Sequence, residues 1–96
     1  MDDKAKQLRL KAEIVGDVQG VGFRLFAERE ARRRSLRGYV RNRDDGAVEV
    51  EAEGSAADLE TLLDALHRGP RMARVKHVRA AWSAFQGDLG PFGVRG

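Results

Sequence analysis

The sequence predicts one α+β domain: two helices packed on one face of an antiparallel sheet, in the order β-α-β-β-α-β. Three observations predict it. Residues 8–14 and 47–53 alternate apolar and polar, the period of a strand with one buried face. Residues 23–31 and 59–66 carry apolar side chains at spacings of three and four, the period of a helix with one buried stripe. Turn residues rich in glycine separate these stretches. The chain of 96 residues has room for one core, and a chain of that size buries roughly two-thirds of the surface its unfolded form exposes.

Residues 1–6 show no periodicity and read as a disordered tail ahead of a domain that occupies the rest of 1–96. In the first strand Leu8, Leu10, Ala12 and Ile14 alternate with Arg9, Lys11 and Glu13, and Gly16 ends it. The segment from Gly16 to Gly22 holds three glycines and reads as a loop. A helix follows from about Gly22 to Arg34, with Phe23, Phe26, Ala27 and Ala31 on its buried face. Its solvated face carries Glu28, Arg29, Glu30 and the arginines 32–34, which suit the negative end of the helix dipole.

The second strand places Leu36, Gly38, Val40 and Asn42 on one parity and Arg37, Tyr39 and Arg41 on the other. Asp45-Gly46 is a hairpin turn signal. Beyond it Val48, Val50 and Ala52 point inward, with Glu49, Glu51 and Glu53 outward. Ser55 and Asp58 approximate a capping box for the second helix, in which Leu59, Leu62, Leu63 and Leu66 form the stripe. Gly69-Pro70 stops that helix. A fourth strand lies within Arg74–Phe85, where Val75 and Val78 break alternation and imply a bulge. Phe92-Gly93-Val94 has the length of a short fifth strand. This is the ferredoxin-like α/β sandwich. Its direction of travel brings the Gly16–Gly22 loop and Asn42 to the same end of the sheet, with Asn42 turned toward the helices near the start of the first one.

Composition excludes several classes of chemistry. Without cysteine there are no disulfides, thiol nucleophiles or thiolate metal sites. No apolar run approaches the roughly 20 residues of a membrane span, and the N-terminus lacks a secretory layout, so the expectation is a cytoplasmic protein. The 18 basic residues outnumber 15 acidic ones for a net charge of +3, and 14 of the 18 are arginine. Arginine suits fork-like phosphate contacts, but most of these side chains read as a solvated surface.

At the end shared by the loop and Asn42, a glycine-rich turn opening a helix offers backbone N–H groups and the positive end of the dipole to a phosphate-sized anion. Arg24 sits in the first helical turn, a place unfavourable to a lone cation unless an anion compensates it. Taken alone, the glycines serve ordinary turn geometry equally well, and Arg24 reads equally as a surface arginine. Asn42, whose neutral amide can hold a water beside a phosphate without repelling it, is also an ordinary strand-end residue.

Together the two segments say more. Ile14-Val15-Gly16-Asp17-Val18-Gln19-Gly20-Val21-Gly22-Phe23-Arg24 resembles the first signature of the acylphosphatases. Gly38-Tyr39-Val40-Arg41-Asn42, followed by Gly46, Val48 and Gly54, resembles the second at its expected spacing. Gly69-Pro70 with Ala73 and Val75, and the closing Phe92-Gly93-Val94, are similar to the family too, so the resemblance spans about residues 8–95. It implies hydrolysis of the carboxyl–phosphate bond of acyl phosphates to a carboxylate and inorganic phosphate, with no metal and no cofactor. By motif position Arg24 binds the phosphoryl group, Asn42 orients the attacking water, and backbone N–H groups of Val18, Gln19, Gly20, Val21 and Gly22 complete the cradle. Asp17 puts a carboxylate in the loop, and Ser35 stands where a helix-ending glycine is common.

The partners expected are therefore a small acyl phosphate and its phosphate product, with no nucleic acid and no membrane. RNA-recognition motifs share the element order, and Arg37-Gly38-Tyr39-Val40 is faintly similar to one of their signatures, but the third strand lacks the aromatics that stack bases. Acylphosphatase-like domains also occur in larger maturation enzymes; the short chain without zinc-ligand cysteines favours the stand-alone form. Neither helix has a second apolar stripe, which predicts a monomer. His67 reads as a dipole partner at the end of the second helix, and His77 has no companion at metal-ligand spacing.

Overall fold

The described chain, residues 5–96 of a computed structural model, runs β1 (Gln7–Asp17), α1 (Phe23–Arg33), β2 (Arg37–Asn42), β3 (Val48–Ser55), α2 (Ala56–Arg68), β4 (Arg74–Ala84) and β5 (Gly93–Arg95). The strands form one sheet in the order β4-β1-β3-β2-β5. Alternation decides which face is covered. Leu10, Ala12 and Ile14 of β1, Val40 of β2 and Val48, Val50 and Ala52 of β3 are fully buried. They pack in one cluster with Phe23, Ala27 and Ala31 of α1 and Leu59, Leu62 and Leu66 of α2. Ser55 caps α2, its hydroxyl accepting the Asp58 N–H at 3.2 Å, and Gly69 closes the other end by donating to the Ala65 carbonyl at 2.9 Å.

The structure corrects the expected sheet in two places. Strands β1–β4 pair antiparallel, but β5 joins β2 in parallel, so the sheet is mixed at that edge. The chain leaves β4 at one edge and crosses to the other before re-entering, which brings β5 in along the direction of β2. Gly16, expected to end β1, lies inside it. Its pairing with Val75, next to that of Val15 with His77, skips Lys76 and makes the anticipated bulge. The backbones come so close there that a Cβ on Gly16 would overlap the Arg74 carbonyl oxygen, and φ is +140°.

Three smaller expectations change. The first four residues of the expected tail lie outside the described residues, whereas the Lys6 carbonyl accepts the Ala56 N–H at 2.8 Å and ties the start of β1 to α2. Glu30, assigned to the solvated face of α1, is only 9% exposed, because Arg34 folds back on it at 3.1 Å. Ser35 takes the left-handed conformation (φ 55°), and the Ser35 and Leu36 N–H groups close the helix end on the Arg32 and Ala31 carbonyls, both at 3.0 Å.

The outward face of the sheet is a packed ion lattice. Glu49 and Glu53 point away from the helices yet are 4% and 1% exposed. Arg9 spans Glu51 (2.8 Å) and Glu53 (3.2 Å), and Tyr39 donates to Glu49 (2.7 Å). Glu53 also accepts the Gln86 and Gly87 N–H groups at 2.7 and 3.1 Å, which pins the β4–β5 connection across the sheet. Burial pushes the Glu49 and Glu51 carboxyls up, but hydrogen bonds from Arg41, Arg9 and Tyr39 outweigh it and hold both below the usual glutamate range.

Candidate active site

Because β1 and β2 run the same way with α1 returning between them, the loop after β1, the start of α1 and the end of β2 meet at one end of the sheet. The loop over residues 18–22 is held from beneath: Val18 is 1% exposed, and Val21 packs against the core. Gly20 and Gly22 have φ of +75° and +81°, turns that a side chain would strain. Gly22 is the N-cap of α1, and no side chain among the described residues caps that first turn. Its N–H groups are therefore left for another acceptor.

These residues enclose a recess of about 140 Å³ lined by Val18, Gly20, Gly22, Phe23, Arg24, Leu25 and Asn42. Its volume is many times the roughly 10–15 Å³ that one water needs in a cavity. The sequence-predicted residues are thus brought together from three elements, Asn42 from the last position of β2 and Arg24 from the first turn of α1. Gln19 and Val21 do not line the recess with the others.

Electrostatics distinguish Arg24 from its neighbours. At the adjoining turn Arg43 pairs with Glu13 (3.0 Å) and Asp45 (2.9 Å), and Arg41 pairs with Glu49 (3.1 Å). Arg24 has no carboxylate partner among the described residues, and the Asn42 amide has no hydrogen-bond partner among them. A guanidinium without a counter-ion, an amide without a partner and the positive end of a helix dipole face one small space. Such a space favours an oxyanion together with a molecule that the amide can hold.

Sequence reasoning used Gln19 for its backbone alone and missed its side chain. Gln19 Nε2 donates to the carbonyls of Arg43 (2.8 Å) and Ala47 (2.9 Å). Those carbonyls also close the hairpin turn, accepting from Gly46 N and Arg43 N. The glutamine therefore fastens the loop after β1 to the turn directly beyond Asn42. The available signal was that loop and turn share one end of the sheet and Gln19 is the uncharged donor between them.

A larger, open cavity, about 580 Å³, lies over the paired ends of β1 and β4, lined by Val15, Gly16, Asp17, Arg74, Val75 and Lys76. It has no helix N-terminus, and the Asp17 carboxylate in its lining opposes an anion, so it is a poorer phosphate cradle despite its size. Asp17 lines this cavity, so its carboxylate stands outside the recess. Among the described residues no three His, Asp or Glu side chains converge as a metal ligand set. His67 Nδ1 donates to the Leu63 carbonyl (2.9 Å) on α2, and His67 does not line the recess.

Comparison with known proteins gives one consistent answer. The acylphosphatase family model matches residues 10–94. An acylphosphatase from an Anaeromyxobacter species is 52% identical over 91 residues, covering 95% of this chain and 98% of that relative. One from Salinibacter ruber is 53% identical over 83 residues, covering 82% and 87%. The crystal structure of acylphosphatase from Bacillus subtilis superposes with a TM-score of 0.88 at 36% identity, over 92% of this chain and 98% of that one. The signatures around Arg24 and Asn42, the two-helix sandwich and these matches agree: the chain belongs to the acylphosphatase family.

Proposed function

We propose that this protein hydrolyses acyl phosphates at the recess between Gly22, Arg24 and Asn42, by in-line attack of a water on the phosphorus. The observation that carries this reading is the convergence of an unpaired guanidinium, a free helix N-terminus and an unpartnered amide on one space of about 140 Å³. Arg24 and the N–H groups of residues 18–22 hold the phosphoryl oxygens and stabilise the charge that grows on them. Asn42 accepts a hydrogen bond from the attacking water and places its oxygen in line with the departing acyl oxygen. The new P–O bond forms as the P–O bond to the acyl group breaks, and the bonding pair leaves on the carboxylate. The water proton passes to a phosphoryl oxygen or to solvent.

A carboxylate leaves readily, so the reaction asks for positioning and charge neutralisation more than for a general acid. Arg24, Asn42 and backbone dipoles supply both, and the proposal includes catalysis without metal or cofactor. It also includes a cytoplasmic monomer. No helix of the described chain is long and apolar enough to cross a membrane, and the outward faces of α1 and α2 carry exposed Arg29, Arg33, Glu60 and Asp64.

The test is hydrolysis of benzoyl phosphate in excess EDTA by the wild type, Asn42→Ala and Arg24→Ala. The wild type is expected to turn over, Asn42→Ala to bind inorganic phosphate normally while losing at least about a hundredfold in kcat, and Arg24→Ala to lose phosphate affinity as well. A folded, inactive wild type overturns the proposal. Full activity of Asn42→Ala removes its assigned role.

A further inference from the structure

The two halves of the site stand on strands that do not pair. β1 leads into the phosphate loop and β2 ends on Asn42, but β3 lies between them and pairs with both. Their relative placement therefore depends on what crosses β3. Gln19 makes one crossing, from the loop to the turn after β2. Arg43 makes a second in the opposite sense, its Nη1 reaching from that turn back to Glu13 Oε1 on β1 at 3.0 Å.

The second crossing is built around a like-charge pair. Glu13 and Glu49 are register partners on β1 and β3, and both belong to the face turned away from the helices. Two carboxylates directly opposite one another repel. The Arg43 guanidinium offsets that repulsion from 3.0 Å at Glu13 and 3.9 Å at Glu49, and Asp45 takes its Nη2 at 2.9 Å. Arg43 directly follows Asn42, and its backbone is fixed as well: its N–H donates to the Ala47 carbonyl at 2.8 Å, and its carbonyl accepts from Gly46 N and Gln19 Nε2. The Asn42 amide has no hydrogen-bond partner among the described residues, so its position depends on the backbone that Arg43 anchors. Arg41, on the other flank of Asn42, pairs with Glu49 at 3.1 Å on a strand that already pairs with β2.

We propose that Arg43 and Glu13 are positioning residues, whose ion pair across β3 sets the distance between the loop that holds the phosphoryl group and the amide that holds the water. The proposal rests on the acyl phosphate reading of the recess. Loss of the pair leaves Arg24 and the loop N–H groups able to bind phosphate, and loosens the alignment that attack requires, so the cost falls on kcat. A role through charge alone has the opposite sign at Glu13. That carboxylate opposes an anion in the recess, so neutralising it would tighten phosphate binding and would not slow the reaction.

The test is a double-variant cycle in benzoyl phosphate hydrolysis with Arg43→Gln, Glu13→Gln and the two combined, and Arg41→Gln as the control. A 1 Å misplacement costs about a hundredfold, and with Gln19 intact a smaller shift is expected to lower kcat about fivefold in each single variant and at most about twofold further in the combined one. The Kd for inorganic phosphate should stay within about twofold of wild type throughout, as should kcat in Arg41→Gln. A Glu13→Gln variant as fast as wild type, losses that multiply in the combined variant, or an equal loss in Arg41→Gln overturns the proposal. A second readout needs no turnover. Asn42 is the one asparagine in the sequence, so nitrogen-15 asparagine labelling reports its side-chain amide alone in the phosphate-bound protein. That signal is expected to shift or broaden alike in Arg43→Gln and Glu13→Gln and to stay in place in Arg41→Gln. If the wild type hydrolyses nothing, the hydrolase reading fails, and an amide signal unmoved in both single variants still overturns the positioning role.

Discussion

Gln19 offers the sharpest test of how the recess is held, because one atom, Nε2, makes both bonds that join the loop to the turn beyond Asn42. An intramolecular hydrogen bond contributes a net of about 0.5–1.5 kcal/mol, so two suggest about 1–3 kcal/mol. The lower part of that range applies to Gln19→Ala. The Arg43 and Ala47 carbonyls keep their bonds from Gly46 N and Arg43 N, and the Arg43 contact is exposed enough for water to replace it. The expected loss is about 1–2 kcal/mol in urea denaturation. Gln19→Glu keeps the shape but replaces the donor by a carboxylate facing two carbonyl oxygens, so it should cost more than alanine. With Arg24 and Asn42 intact, both variants should lower kcat for benzoyl phosphate about tenfold, since the water and the phosphoryl group lose their common register. If Gln19→Glu matches the wild type in both stability and turnover, the fastening role assigned to Gln19 is refuted.

Other perturbations follow from the same geometry. Glu53→Ala removes a buried carboxylate that holds Arg9 and two N–H groups of the β4–β5 connection, and the urea midpoint should fall by the equivalent of about 3 kcal/mol. Gly22→Ala meets no neighbour within 4 Å and should cost only the left-handed strain of about 1–2 kcal/mol, while Gly16→Ala drives a Cβ into the Arg74 carbonyl and should cost at least about 2 kcal/mol more. Equal losses would show that β4 yields at the bulge. Glu49 and Glu51, held below the ordinary glutamate value of 4.5, contribute stability that is complete above that value and is lost as pH falls through their lower native values. Urea midpoints followed from neutral pH downward should therefore decline below about pH 4.5, and the decline should be shallower in Glu49→Gln.

Legibility of the molecule from its sequence follows the reach of each signal. Alternation placed Leu10, Ala12, Ile14, Val48 and Val50 correctly in the core, because strand and helix periods are local and strong. It could not show that Glu49 and Glu53 are buried on the opposite face, since that depends on Arg9 and Arg41 arriving from other strands. Nor could it show the direction of β5, which depends on where an irregular connection re-enters the sheet. The halves of the candidate site were legible because topology alone puts Asn42 beside the start of α1. The Gln19 fastening was not, because a side chain bonded to two turn carbonyls leaves no periodic trace. Gly16 shows the same limit: its residue type announced a turn, while its use is a close approach between two backbones.

The central claim is that a water attacks the phosphorus of a phosphoryl group held at Arg24. It is tested most directly by a single turnover of benzoyl phosphate in oxygen-18 water, followed by mass analysis of both products. The account predicts the label in inorganic phosphate and none in benzoate, at a rate that collapses in Asn42→Ala. Label in benzoate would mean attack at the carbonyl carbon and would contradict it.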